Sequence, residues 1–472
     1  MTTLRLNPLT ALLVSLIALT LPPAASYAAP ESASSVPRPN ILFLFSDDHQ
    51  SNGIHALGNR DLITPHLDRL VNRGCAFTRT YIQGALQPAV CVPSRASLLT
   101  GKGLWQVPSD FGPEHPSWVE QFRAAGYATF LTGKWHNGRP AFNRAASHGG
   151  AIFFGGMHDH RHMTLWDFAP DSSYPPKAAT LREGFSSELF TAEAIRFLES
   201  RPKDRPFVAY VAYMAPHDPR VPPEKFRSLY DPARLTLPPN LLPRHPFNNG
   251  ELSVRDERLA PWPRTEAVLR EQLADYYRMI SHLDSEIGRL LTRLTELDLA
   301  HNTIVVFAGD NGLALGQHGL LGKQNLYEHS LRVPLAISGP GIPPGVRFSQ
   351  LTYLFDLGPT LCELADVPPP PAVTGRSLTP LLTNSTKVHR TEIFAGYRDF
   401  QRALVTDRWK LIRYPRIDRT QLFDLAADPY ETTDLSPSKE VAETLGALRS
   451  RFDASRKEWG DPLGWTSAAR DR

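Results

Sequence analysis

Cys91 opens a stretch, Cys91-Val92-Pro93-Ser94-Arg95-Ala96-Ser97-Leu98-Leu99-Thr100-Gly101-Lys102, whose residue types suit a reactive group at the start of a helix. Pro93 fits a first helical turn, where a missing N–H costs nothing. Gly101 supplies a left-handed cap at the other end. Cys91 is thereby placed where free N–H groups and the helix dipole favour negative charge. Arg95, one turn further on, faces the same point. A cysteine so placed is either reactive or a buried structural thiol, and the local pattern leaves both readings open.

Four apolar runs end in residues that can do chemistry. Residues 40–45 lead into Asp47 and Asp48, residues 127–131 into Lys134 and His136, 207–213 into His217, and 303–308 into Asp310 and Asn311. Continuous apolar runs of this length read as strands buried on both faces. In open α/β sheets ligands gather beyond the carboxyl ends of such strands. These seven residues are therefore expected to converge although they are scattered along the chain. Asp47, Asp48, Asp310 and Asn311 bring three carboxylates and an amide oxygen together, which calls for a cation. An oxygen-only set suits Ca²⁺ or Mg²⁺ better than zinc. Asp and Asn are also common in plain strand-end turns, and a lone histidine is often only a satisfied one. The segment from Gly316 to Lys323 is glycine-rich, ends in a lysine, and could cradle an anion.

These residues need a frame. Helices are predicted at 65–73, 118–125, 185–200 and 265–299, the last with Leu269, Leu273, Tyr276, Ile280, Leu283, Ile287, Leu290, Leu294 and Leu297 on one apolar face. Residues 149–174 and the Pro-rich 220–263 read as loops. Strands alternating with helices predict an α/β fold, a mostly parallel central sheet with helices on both faces. After about residue 390 the pattern shifts to short strands at 402–406, 409–414 and 421–425 and a helix at 439–459. That predicts a small C-terminal antiparallel sheet with one helix. The expected organisation is a signal peptide at 1–28, a disordered leader at 29–38, a catalytic domain at 39–385 and a small domain at 386–472.

The chain has 472 residues, 51 Lys and Arg against 48 Asp and Glu, and a formal charge of +3. No basic run marks a nucleic-acid or membrane surface. Arg5, the apolar run from Leu12 to Leu21 and the small residues before Ala29 read as an export signal. The expected location is periplasmic or secreted, with no membrane insertion once the signal is removed. Of the three cysteines, Cys75 and Cys362 sit in apolar contexts and read as buried thiols, with a disulfide between them the lesser alternative.

The Cys-x-Pro-Ser-Arg stretch followed by Leu-Thr-Gly resembles the signature of the type I sulfatases, a family of the alkaline-phosphatase-like superfamily, and the resemblance extends over nearly the whole mature chain. It implies that a maturation enzyme converts Cys91 to Cα-formylglycine, whose hydrate is the nucleophile. It implies metal ligation by Asp47, Asp48, Asp310, Asn311 and the residue-91 oxygen, with Ca²⁺ preferred over Mg²⁺. Arg95 matches the arginine that holds the formylglycine, and Lys134, His136, His217 and Lys323 match the catalytic lysines and histidines. The implied reaction is hydrolysis of a sulfate ester, with a sulfated carbohydrate as the expected substrate, phosphoester or phosphonate hydrolysis on the same fold as the alternative and sulfated-glycan binding without turnover as another. Two stretches depart from the family pattern: Gln317 and His318 before Gly319, where many members have an acidic residue followed by His-Gly, and Tyr327 to Arg332, where glycines are common. Trp105, His158, His160, His162, Tyr397 and Arg398 are candidates for the rim of the substrate pocket, or ordinary loop residues.

Overall fold

The computed structural model describes residues 38–463. The expected signal peptide and all of the leader except Arg38 lie outside the described residues.

The frame is an eight-stranded sheet. Its strands are Asn40–Ser46 (β1), Cys75–Phe77 (β2), Ala128–Lys134 (β3), His148–Phe153 (β4), Phe207–Ala212 (β5), Thr303–Gly309 (β6), Leu335–Ser338 (β7) and Arg347–Phe348 (β8). They run in the order β8-β2-β7-β6-β1-β5-β3-β4. β1 pairs in parallel with β5 and β6, β3 pairs in parallel with β4 and β5, and only β7 runs antiparallel to its neighbours. Every residue of β1, β3, β5 and β6 is buried, which is why their sequences are unbroken apolar runs rather than alternating ones.

The two faces of β1 look into separate cores. Ile41, Phe43 and Phe45 pack into one, with Trp118 and Phe122. Leu42 and Leu44 pack into the other, against Leu67, Leu283, Ile287 and Leu290. The helices Pro65–Arg73 (α1), Ser186–Ser200 (α2) and Glu266–Glu296 (α3) cover this second face. Thr265 caps α3 by accepting the Val268 N–H. Leu269, Leu273, Tyr276, Ile280, Leu283, Ile287, Leu290 and Leu294 are buried along α3, as its periodicity predicts. Removing one such leucine side chain costs about 2–5 kcal/mol.

The C-terminal strands Glu392–Tyr397, Gln401–Thr406, Trp409–Tyr414 and Arg419–Asp424 form the predicted antiparallel sheet. The helix Ala442–Glu458 packs Leu445, Leu448 and Phe452 onto Phe394, Leu404, Leu411 and Leu422. The two-residue strand Gly84–Ala85 joins this sheet in parallel with Gly396 and Tyr397. Sequence reasoning missed both that strand and Glu392–Tyr397.

Residues 149–174 are not simply a loop. They carry most of β4 and the strand His162–Leu165, which pairs with Thr180–Glu183. Gly149 and Gly150 read as loop residues, yet they are needed inside the strand. A Cβ on Gly149 would lie 2.8 Å from the Leu131 carbonyl oxygen, and one on Gly150 would lie 2.7 Å from the Glu193 carboxylate. Cys75 and Cys362 are buried and unpaired. Among the described residues, no helix is long and apolar enough to cross a membrane.

Candidate active site

Register builds the site. Ser46 pairs with Gly309, Phe45 with Ala212, and Ala212 with Gly133. The four central strands thus stop at one level, and the residues just past their ends share one space. The Asp310 N–H donates to the Ser46 carbonyl at 3.0 Å, and the Asp48 N–H to Asp310 Oδ1 at 3.0 Å. Asp48 turns with φ 58°. Tyr276 of α3 pins that turn, donating its hydroxyl to the Asp48 carbonyl and accepting the Gln50 N–H, both at 2.8 Å.

Cys91 begins a ten-residue helix, Cys91–Thr100, that ends at Gly101 in the left-handed conformation (φ 68°). Asn137, just past β3, ties this helix down by donating to the Val92 carbonyl at 3.0 Å. Arg95 is fully buried: Nε reaches Asp310 Oδ2 at 2.9 Å, Nη2 reaches Asp47 Oδ2 at 3.2 Å, and Nη1 donates to the Lys134 carbonyl at 2.9 Å. Lys134 Nζ forms an ion pair with Asp47. The Cys91 sulfur lies 3.5 Å from His136 Nδ1 and 3.8 Å from Lys134 Nζ. On the other side, Lys323 Nζ lies 2.5 Å from Asp48 Oδ1, Asn311 Nδ2 donates to the same oxygen at 2.7 Å, and His217 Nε2 stands 3.7 Å from Asp48 Oδ2. All ten residues singled out from the sequence therefore meet at one place.

The electrostatics follow from burial and pairing. Burial by itself raises the pKa of Asp48, but Lys323 and His217 outweigh it and hold the carboxylate charged. Burial, then the charge of Asp47, pushes Asp310 up to about 6. Burial raises the Cys91 thiol against the pull of Lys134 and Lys323, so the unmodified side chain is not a ready thiolate. Burial, then Lys134 and Arg95, lowers the pKa of His136 and keeps its ring neutral. Asp47 Oδ1 and Asn311 Oδ1 are buried with no hydrogen-bond partner among the described residues. With the Asp48 and Asp310 carboxylates they make an oxygen-only donor set that fits a hard divalent cation. Asp47, Cys91 and Asp310 each offer one donor atom within 4.8 Å of the others, as do Asp47, Asp48 and His217.

Several supporting residues carry no sequence signal of their own. His160 is buried behind His217, its Nε2 2.9 Å from the His217 carbonyl and its Nδ1 2.7 Å from Ser186 Oγ. It is a prop for His217 rather than a rim residue. Tyr397 is also buried, and it donates to Glu251 at 3.0 Å. Trp105 packs on Phe394 with ring centroids 5.3 Å apart. The Gly316–Lys323 loop offers no backbone cradle to an anion, because the N–H groups of Leu321 and Gly322 are taken by the Glu257 carboxylate. Only the Lys323 side chain reaches the site. Glu257 comes from the Pro-rich 220–263 segment, where only the folded chain shows what it holds.

The profile of the Sulfatase family matches residues 39–367, and that of the C-terminal region of N-sulphoglucosamine sulphohydrolase matches residues 316–458. The chain is 27% identical to an N-acetylglucosamine-6-O-sulfatase of Bacteroides thetaiotaomicron, across 97% of this chain and 92% of that protein. It is 30% identical to an ulvan-active sulfatase of Formosa agariphila, across 90% and 82%. A solved structure holding its substrate, D-glucosamine-2-N,6-O-disulfate, superposes with a TM-score of 0.76 at 25% identity, covering 90% of this chain and 99% of that one.

Proposed function

Because the chain belongs to the sulfatase family and is a sulfuric ester hydrolase, we propose that it releases sulfate from a sulfated carbohydrate, with residue 91 matured to formylglycine. The observation that carries this reading is the placement of Cys91 at a helix start, with His136 and Lys134 at 3.5 and 3.8 Å and the Asp47, Asp310 pair beside it.

Converted to formylglycine, position 91 would supply a hydrated aldehyde, one hydroxyl to attack sulfur and a second that lets sulfate depart. Asp47, Asp48, Asp310 and Asn311 would hold a hard divalent cation, calcium in preference to magnesium by the resemblance to the family, which when bound supplies fixed positive charge beside the sulfate oxygens. The chain's own groups do the rest. Arg95 locks the Asp47 and Asp310 carboxylates in place. Lys134 and Lys323 stand on opposite sides of the site and offset charge on the sulfate oxygens, the kind of fixed electrostatic help that is often the largest catalytic term. His217 gives its proton to the leaving alcohol oxygen, and His136 takes one from the second hydroxyl of residue 91. As the attacking hydroxyl bonds to sulfur and gives up its proton, the bond from sulfur to the alcohol oxygen breaks; loss of the second hydroxyl's proton then breaks the bond from the residue-91 carbon to the sulfate oxygen and leaves the aldehyde, which adds one water to restore the hydrate.

The apolar run from Leu12 to Leu21 supports export, so the substrate is met outside the cytoplasm and residue 91 is matured by a dedicated enzyme beforehand. The deciding experiment measures sulfate released from a panel of sulfated saccharides, alongside turnover of an aryl sulfate and an aryl phosphate. Faster turnover of the aryl phosphate, with no sulfate freed from any saccharide, would move the assignment to phosphoester hydrolysis.

A further inference from the structure

The two stretches that depart from the usual family pattern meet in the fold. His318 comes from the first and His329 from the second, in the short helix Glu328–Leu331. Glu431, which follows the last C-terminal strand, joins them. Each offers one donor atom, and the three donors lie within 4.8 Å of one another. His318 and Glu431 are 6% and 2% exposed. Neither ring nitrogen of His329 has a hydrogen-bond partner among the described residues. His329 and Glu431 also face a cavity of about 440 Å³, lined in addition by Glu328, Gln317, Asn240 and Tyr430.

We propose that His318, His329 and Glu431 bind a second divalent cation, of the zinc class, with its remaining coordination position open to this cavity. Two imidazoles and one carboxylate are the donor set of a borderline-soft ion, in contrast to the oxygen-only set at Asp47, Asp48, Asp310 and Asn311. Asn240 Nδ2 donates to His318 Nε2 at 3.1 Å, so an ion bound at that nitrogen would replace the amide, and the His318 ring stacks on Tyr327 with centroids 3.9 Å apart. Lys410 Nζ reaches Glu431 Oε1 at 2.8 Å and Glu328 Oε1 at 3.0 Å. When Glu431 turns to the ion, Glu328 retains the ammonium, and no buried charge is left unpaired. The ion would tie the Lys323 side of the catalytic site to the segment beyond the C-terminal sheet.

The test uses the full chain, stripped with a chelator and then saturated with Ca²⁺ so that the oxygen site is filled. Titration with Zn²⁺ followed by calorimetry should show one ion bound per chain. Co²⁺ in its place should give the intense visible absorption of a low-coordinate, nitrogen-ligated ion. His329→Gln, partly exposed and checked for folding by circular dichroism, and Glu431→Gln should each weaken binding by at least ~10²-fold, more than loss of a supporting contact does. Asp310→Ala should leave Zn²⁺ binding intact. Absence of Zn²⁺ binding in the wild type, retention in both ligand variants, or loss only in Asp310→Ala would each overturn the proposal.

Discussion

Glu257 holds the Gly322 backbone: its Oε1 accepts the Gly322 N–H at 2.8 Å and the Leu321 N–H at 3.0 Å. Arg264, itself buried, supports that carboxylate with a 2.7 Å ion pair. The next residue is Lys323, whose ammonium lies against Asp48. Glu257 thus holds the backbone that leads into Lys323, the lysine proposed to act on the sulfate.

Glu257→Ala should leave two buried N–H groups without an acceptor, at ~1–3 kcal/mol each. A displaced Lys323 should lower kcat by about 10²-fold, with KM changed less. Glu257→Gln retains one acceptor oxygen and should recover much of that loss. Steady-state kinetics of the two variants decide, and equal activity in all three proteins would remove Glu257 from this role.

Peptide mass analysis of active protein should find position 91 converted from thiol to aldehyde. Protein made without the maturation enzyme should fold, melt near the mature form, and turn over almost no sulfate ester. Full activity in a sample whose residue 91 is entirely cysteine would refute the modification.

Removing the cation should cost stability as well as activity. A ligand present at about 100 times its Kd contributes ~2.7 kcal/mol to the folded state. Chelation should therefore lower the melting temperature of wild type and leave Asp310→Ala unmoved, since that variant lacks a carboxylate of the set. Calcium content by elemental analysis should fall from one per chain to none in Asp310→Ala.

The two active-site histidines should separate kinetically. His217→Ala should slow sugar sulfates by ~10²–10⁴-fold and nitrophenyl sulfate far less, because a good leaving group needs no proton. His136→Ala should instead give a burst of nitrophenol equal to the enzyme present, followed by slow steady release of sulfate. A burst in the His217 variant and none in the His136 variant would exchange the two roles.

Asp356 should set part of the acid sensitivity. Its carboxylate takes the N–H groups of Tyr353 at 2.8 Å and Arg376 at 2.7 Å, and it pairs with Arg390 and His389. Burial alone would raise its pKa, but the charge of Arg390 and the side-chain hydrogen bonds from His389 and Arg390 lower it from 3.8 to about 2. Its folded pKa lies below the unfolded one, so the stabilisation is complete above about pH 4 and is lost as pH falls towards 2. Asp356→Asn should be less stable than wild type by about 2–3 kcal/mol at pH 7, and the gap should close in acid. Denaturant melts at several pH values measure it.

The sequence by itself determined the four buried strands, the long α3 and the ten residues of the site. An unbroken apolar run can only be a strand or helix buried on all sides, and polar residues immediately after it must lie at the sheet's edge. Asp47, Lys134, His217 and Asp310 were legible for that reason; Pro93 and Gly101 marked the helix that Cys91 opens, and the resemblance of its stretch to the sulfatase signature singled out the cysteine. Tertiary structure alone decided the rest. Strand order places β1 between β5 and β6, and that order is set by which helices cover which face, not by any residue within the strands. Glu257, His160 and Tyr276 act on backbone groups of distant segments, and a backbone N–H or carbonyl carries no residue type to search for. The meeting of His318 and His329 with Glu431 likewise depends on how the C-terminal segment packs against the loop after Gly316. Packing brings residues about a hundred positions apart into contact, and local spacing cannot register that distance.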